Sequence, residues 1–244
     1  ANSNTANGFK ALYTNTTGSG NTAVGREALL SNTTGDYNIA NGYKALRSNT
    51  TGAGNVANGV NSLYSNTTGY SNTAIGSNTL YSNTTGYDNT AIGDGAMNNH
   101  TTGVRNTAIG KDALYSDIIG IYNVAFGYRA LFSNNSSSRH TAVGSWALYY
   151  NTTGQNNAAF GYDALKANTS GGYNLAVGSS ALNLNTTGSY NTAIGFNADV
   201  TTVDLTNATA IGYNAQVSAS NKIRLGDTNV TSIEGQVAWT NASD

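Results

Sequence analysis

The chain repeats one seventeen-residue phrase, and its clearest copy runs from Asn72 to Asp88 as NTAIGSNTLYSNTTGYD. Alanine returns at Ala6, Ala23, Ala40, Ala57, Ala74, Ala91, Ala108, Ala125, Ala142, Ala159, Ala176, Ala193 and Ala210. A glycine follows two residues later each time, from Gly8 to Gly212, and no insertion or deletion breaks the interval. A unit this short cannot bury an apolar face by itself. Its copies must therefore stack, each covering the next.

Within each phrase two segments read as short strands, of the types Thr73-Ala74-Ile75 and Thr79-Leu80-Tyr81-Ser82. Both carry β-branched or aromatic members between strong turn formers. Gly76 and the Thr84-Thr85-Gly86 turn end them, and glycine supplies positive φ without steric cost. A helix is excluded because each clear copy holds two glycines and an Asn-Thr-Thr run. The expected fold is all-β: a parallel β-solenoid, or β-roll, with 17-residue coils. At a strand spacing of about 4.8 Å, twelve or thirteen coils would form a rod on the order of 60 Å long.

Stacking assigns roles to columns of equivalent residues. The Ala74 class tolerates nothing larger, so it sits where the wall meets a close neighbour. The Leu class (Leu12, Leu29, Leu46, Leu63, Leu80, Met97, Leu114, Leu131, Leu148, Leu165, Leu182) forms an inner apolar ladder. Each buried leucine is worth about 1.5–3 kcal/mol. Asn15, Asn32, Asn49, Asn66 and Asn83 read as an amide ladder at a turn, interrupted by His100 and Asp117.

The residue between the invariant Ala and Gly is Asn7, Val24, Asn41, Asn58, Ile75, Ile92, Ile109, Phe126, Val143, Phe160, Val177, Ile194 or Ile211. By the period of two it faces away from the alanines. If Ala and Leu face a private interior, this column faces outward, and an apolar stripe along a rod is an aggregation hazard in a monomer. The remedy is a homotrimer with this column at its axis, the Asn layers fixing register as a polar core residue does in a coiled coil. The alternative is that the column belongs to the core of a single chain. Tyr37, Tyr43, Tyr122, Tyr128, Tyr173 and Tyr190 lie in variable, solvated columns. They either shield turns by stacking on the next coil or offer rings to a sugar or protein partner.

After Gly195 the phrase changes: Asp199 takes the Leu position, and Gly212 to Gly226 spans fourteen residues rather than seventeen. Residues 1–195 are thus expected to form the regular solenoid. Residues 196–244 are expected to form atypical terminal coils, as a cap or a junction to a further domain.

Little in the composition points to chemistry. Charged residues are 9% of the chain, the net charge is -1, cysteine is absent, and Lys and Arg are scattered singly. That removes thiolate metal sites and the basic stripe that a nucleic acid requires. No apolar run approaches the length of a membrane span, so no membrane insertion is expected. No Walker loop or HExxH occurs, and His100 and His140 each replace an Asn in different columns. Glu27, Asp36, Asp88, Asp94, Asp112, Asp117 and Asp163 form no acid pair or calcium loop. The expectation is no enzyme, cofactor or metal. The NTT triplets at Asn15, Asn32, Asn49, Asn66, Asn83, Asn151 and Asn185 match the glycosylation pattern only because the phrase repeats, and they are expected bare.

The repeats followed by Asn221 to Trp239, NKIRLGDTNVTSIEGQVAW, and by Ser243-Asp244 resemble the shaft of phage tail fibres and bacterial surface fibres. In those proteins the shaft precedes an endosialidase-type intramolecular chaperone, a self-cleaving peptidase domain. Around Asn207 to Gly226 the chain is also similar to the heads of trimeric autotransporter adhesins, which are left-handed parallel β-rolls. The resemblance implies a homotrimer, a location on a virion tail fibre or cell surface, and a part in attachment to a host-surface glycan or protein. It also places the peptidase beyond Asp244, with Ser243 near a processing boundary. Two rivals are an ice-binding solenoid, which threonine arrays would suggest, and a polysaccharide-processing solenoid enzyme.

Overall fold

A computed structural model describes residues 3–232 of the chain. Ile233, Val237, Trp239, Ser243 and Asp244, on which part of the sequence reading rests, lie outside the described residues. The described residues form a parallel β-solenoid in which each seventeen-residue phrase is one coil. Strands such as Thr22–Val24, Thr73–Ile75 and Thr192–Ile194 pair in register with their equivalents, Ala on Ala, in one fourteen-stranded parallel sheet. The hydrogen bonds run between coils around most of the circuit: Val56 N–H to Asn72 O at 2.8 Å, Leu63 N–H to Thr79 O at 3.0 Å, Thr67 N–H to Thr84 O at 2.9 Å. Every coil thereby satisfies its backbone on its neighbours, as short parallel rungs must.

The second expected strand, Thr79 to Ser82, is instead a turn, and the backbone shows why. Asn78 and Leu80 have φ of 51° and 49°, and the same two positions are left-handed in successive coils. A left-handed leucine costs about 1–2 kcal/mol. The turn aims its side chain inward, where Leu29 through Leu182 are buried completely or almost so, and that burial offsets the cost. The Leu ladder therefore exists as expected, but turns carry it.

The interior is narrow. Two alanine columns face it, the strand column and a second one just before the leucines (Ala28, Ala45, Ala96), with Ser62 and Thr79 as its polar members. Those two hydroxyls bond backbone carbonyls, Ser62 to Gly59 at 3.0 Å and Thr79 to Gly93 at 2.8 Å. Two amide ladders complete the lining. In the turn ladder, Asn66 Nδ2 donates to Asn49 Oδ1 at 2.8 Å and to Gly69 O at 3.0 Å. In the ladder of opening residues, Asn55 Nδ2 donates to Asn38 Oδ1 at 3.1 Å and to the same Gly69 O at 2.8 Å. The carbonyl of each NTTG glycine thus braces both ladders.

The two recurring glycines serve different needs. Gly76 has φ of 132°, and a Cβ there would come within 2.7 Å of the Gly93 carbonyl oxygen. Gly86 has no positive φ, contrary to the expectation for the NTTG turn; a Cβ there would collide with Asn83 Oδ1.

The sheet continues past Gly195. Thr209–Ile211 pairs with Thr192–Ile194, and Ile223–Leu225 pairs with Thr209–Ile211 after a fourteen-residue step. A short second ladder, Asp199–Val200 on Gln216–Val217, appears where the Leu column ends. At the last rung among the described residues Arg224 holds the position of the alanines. Its guanidinium folds onto the carbonyls of Gly226 and Asp227, at 2.9 and 2.7 Å, and so places a polar group over the end of the alanine column.

Candidate interaction surface

In the strands from Thr22–Val24 to Thr192–Ile194, and in Thr209–Ile211, the middle residue is buried and the two flanking residues face out. The outward column is therefore Asn7, Val24, Asn41, Asn58, Ile75, Ile92, Ile109, Phe126, Val143, Phe160, Val177, Ile194 and Ile211, as the period of two requires. Its members are exposed or half-buried in the single chain, Phe126 at 52% and Ile75 at 39%. The reading in which this column forms a single chain's core does not hold. Beside it runs a second outward column that starts each strand, with Thr73, Thr90 and Thr107 consecutive and Ile39, Val56, Val124 and Leu175 elsewhere. From Val124 to Ile223 the face is largely apolar, and few polar atoms interrupt it.

The six tyrosines lie on the margins of this face. Tyr37, Tyr122, Tyr173 and Tyr190 immediately precede the opening Asn of a coil, with φ between 57° and 61°. Tyr43 and Tyr128 follow the glycine after the strand. All six are exposed, Tyr37 most at 70%. Only Tyr173 and Tyr190 meet, stacked at 5.0 Å. Tyr122 accepts a hydrogen bond from Arg105 Nη1 at 2.7 Å, and Tyr43 has Lys44 Nζ 4.9 Å from its ring centre.

Stacking is the common habit of the aromatic columns. Tyr64 stacks on Tyr81 at 5.0 Å, Tyr70 on Tyr87 at 4.7 Å, and Tyr115, Phe132 and Tyr149 form a run of three. Rings one rung apart cover each other's faces and leave mainly edges for a partner. Tyr150 stands edge-on to its chain neighbour Tyr149, and a group that joins three coils also breaks the habit, which the sequence reading missed. Trp146 stands among polar equivalents such as Glu27, Asn78 and Asp163, and contacts both Tyr128 and Tyr162 edge to face. An aromatic in an otherwise polar column was the available signal.

The two histidines occupy ladder positions inside the rod. His100 Nδ1 lies 2.8 Å from Asp117 Oδ2, both fully buried, and Asp117 Oδ1 accepts from Asn134 Nδ2 at 2.7 Å. His100 Nε2 has no partner. His140 replaces an opening Asn, with Nε2 3.1 Å from Ser137 Oγ and Nδ1 accepting the Asn157 amide at 3.3 Å. Burial lowers its pKa to about 4. Ser137, which stands where other coils have glycine, makes a short hydrogen bond to Asn134 Oδ1. Burial also raises the Asp199 carboxyl to about 6, although the Val200 and Leu184 amides donate to it. Among the described residues no group of three or more His, Cys, Asp or Glu is placed to hold a metal ion, and no helix is long and apolar enough to cross a membrane. The asparagines of the NTT triplets from Asn32 on are buried with their amides donating inward, which withholds them from a glycosylating enzyme.

No protein-family model matches the chain, and no curated protein matches it.

Proposed function

We propose that the chain is the structural rod of an attachment fibre, working as a homotrimer on a virion tail fibre or a cell surface, without catalysis or a cofactor. One observation carries this reading: an outward strand column, largely of Ile, Val and Phe, that is left exposed or half-buried in the single chain along the length of the sheet. A stable interface takes roughly 800 Å² from each partner. Fourteen rungs at about 4.8 Å give a strip roughly 65 Å long, which reaches that area at a width of about 12 Å. A three-residue strand spans about 10 Å at roughly 3.3 Å per residue, so the strand face comes close to that width without the marginal tyrosines. The rod would extend and present weak sites in three copies for a host-surface glycan or protein, gaining avidity from multiplicity. The resemblance of the repeats and of Asn221 to Trp239 to fibre shafts supports the same role; a nucleic-acid partner fits neither the net charge of -1 nor the scattered cations.

The test is sedimentation equilibrium of the full chain. The expected mass is about three times the 25.1 kDa of one chain. Ile109→Asp, which adds a charge at mid-column without touching the interior, is expected to release monomers. A wild-type chain that sediments at its single-chain mass overturns the proposal.

A further inference from the structure

The rings of Tyr128, Trp146 and Tyr162 come from three consecutive coils at the corner where the strand face ends. Trp146 stands edge-on to both tyrosines, with centroids 5.9 Å from Tyr128 and 5.3 Å from Tyr162 and interplanar angles of 65° and 66°. Along the tyrosine column the rung between them carries Ser145, whose side chain is too short to fill the space. Alternate rungs are about 9.6 Å apart. The two tyrosines therefore form ridges, Ser145 the low point and Trp146 the wall. Both ridges are open, at 37% and 49% exposure. This differs from Tyr64–Tyr81 or Tyr173–Tyr190, where parallel rings use up each other's faces.

The polar rim fixes the class of ligand. Lys166 lies 4.8 Å over the Trp146 ring but is paired with Asp163 at 3.0 Å. Arg129 lies 5.1 Å over Tyr128 but is paired with Asp112 at 3.2 Å. Each cation at the rim is matched by a carboxylate, so no net charge awaits an anion. What remains is a shallow aromatic saddle bordered by groups that both donate and accept hydrogen bonds. Sugar rings present that combination, with apolar C–H faces and hydroxyl edges. We infer that Tyr128, Ser145, Trp146 and Tyr162 form a binding site for a neutral saccharide. The inference rests on the attachment reading in one respect: the corner must stay outside the contact between copies.

The experiment uses the full chain with Trp239→Phe, so that Trp146 is the only tryptophan. Its emission is followed while neutral oligosaccharides (gluco-, manno- and galacto-configured) and a uronate oligomer are added. At least one neutral sugar is expected to shift or quench the emission, with binding weakened about tenfold by Tyr162→Ala, the equivalent of about 1.4 kcal/mol. Tyr64→Ala, remote on the surface, is expected to change nothing. No response to any neutral sugar at millimolar concentration overturns the inference, as does a response to the uronate alone or one insensitive to Tyr162→Ala. Sedimentation of Trp146→Ala separates the two proposals. An unchanged mass leaves the site free, whereas dissociation assigns the corner to the interface and overturns the saccharide site without touching the trimer.

Discussion

His100 and Asp117 stand where the turn ladder otherwise holds asparagines, and they replace amide-to-amide bonds with a buried imidazole–carboxyl contact. An amide both donates and accepts, so it passes the ladder on; a carboxylate only accepts, and the imidazole Nε2 is left alone. Removing one partner leaves an uncompensated buried group, whereas restoring both amides rebuilds a continuous ladder. His100→Asn alone is therefore expected to destabilise the rod by about 1–3 kcal/mol in denaturant unfolding, and His100→Asn with Asp117→Asn to recover all of it or more. His140 and Asp199 give a second prediction. The His140 pKa is lowered from 6.5 to about 4, so stability falls as pH drops from 6.5 towards 4, by about 3 kcal/mol in all. Asp199 is raised from 3.8 to about 6, so its burial weakens the fold above pH 6 and the penalty is relieved as pH falls to 3.8. The two slopes oppose each other. Between pH 6 and 4, Asp199→Asn is expected to make the protein acid-labile, and His140→Asn is expected to make it gain stability on acidification, both read from unfolding midpoints.

At the scale of one coil, the sequence displays its period, its strand and its inner face, because each depends on residue type at fixed spacing. Ala74 must be small, Leu80 must be apolar, and Ile75 must face opposite to Ala74 whatever the turns do. The route of the chain between these points was not legible. Asn78 and Leu80 are left-handed, and no propensity rule anticipates a leucine there, since in isolation the conformation is unfavourable. It is adopted because seventeen residues must return to the start of the next rung with the leucine inside. The role of Gly86 was misread for a similar reason. Its need is set by Asn83 Oδ1 and the next coil's carbonyl, which become neighbours only after stacking. Trp146 escaped notice because columns were judged by their majority; its contacts with Tyr128 and Tyr162 join two columns. Periodicity thus reveals what each column shares and conceals what one rung does differently.

For the whole molecule, the outward column is not uniform along its length: Asn41 and Asn58 lie in neighbouring rungs near one end, while Phe126 and Phe160 lie beyond the middle. This polarity gives an association of copies a direction. Ile109 is the midpoint of the column, so an antiparallel contact would set Asn58 against Phe160 and Asn41 against Val177. Each buried amide left without a partner costs about 1–3 kcal/mol. A parallel, in-register contact instead places Asn on Asn, where the amides can bond each other, and Phe on Phe. The chain has no cysteine, so single-cysteine variants report the arrangement cleanly. A disulfide needs Cα atoms about 4.4–6.8 Å apart, and rungs 58 and 160 are separated by six coils, roughly 29 Å. Asn58→Cys and Phe160→Cys chains of different tag mass, refolded together and mildly oxidised, are expected to yield like-with-like crosslinks. Disulfides joining position 58 to position 160 would show that the copies run in opposite directions, and the asparagine layers would then have to be explained by something other than register.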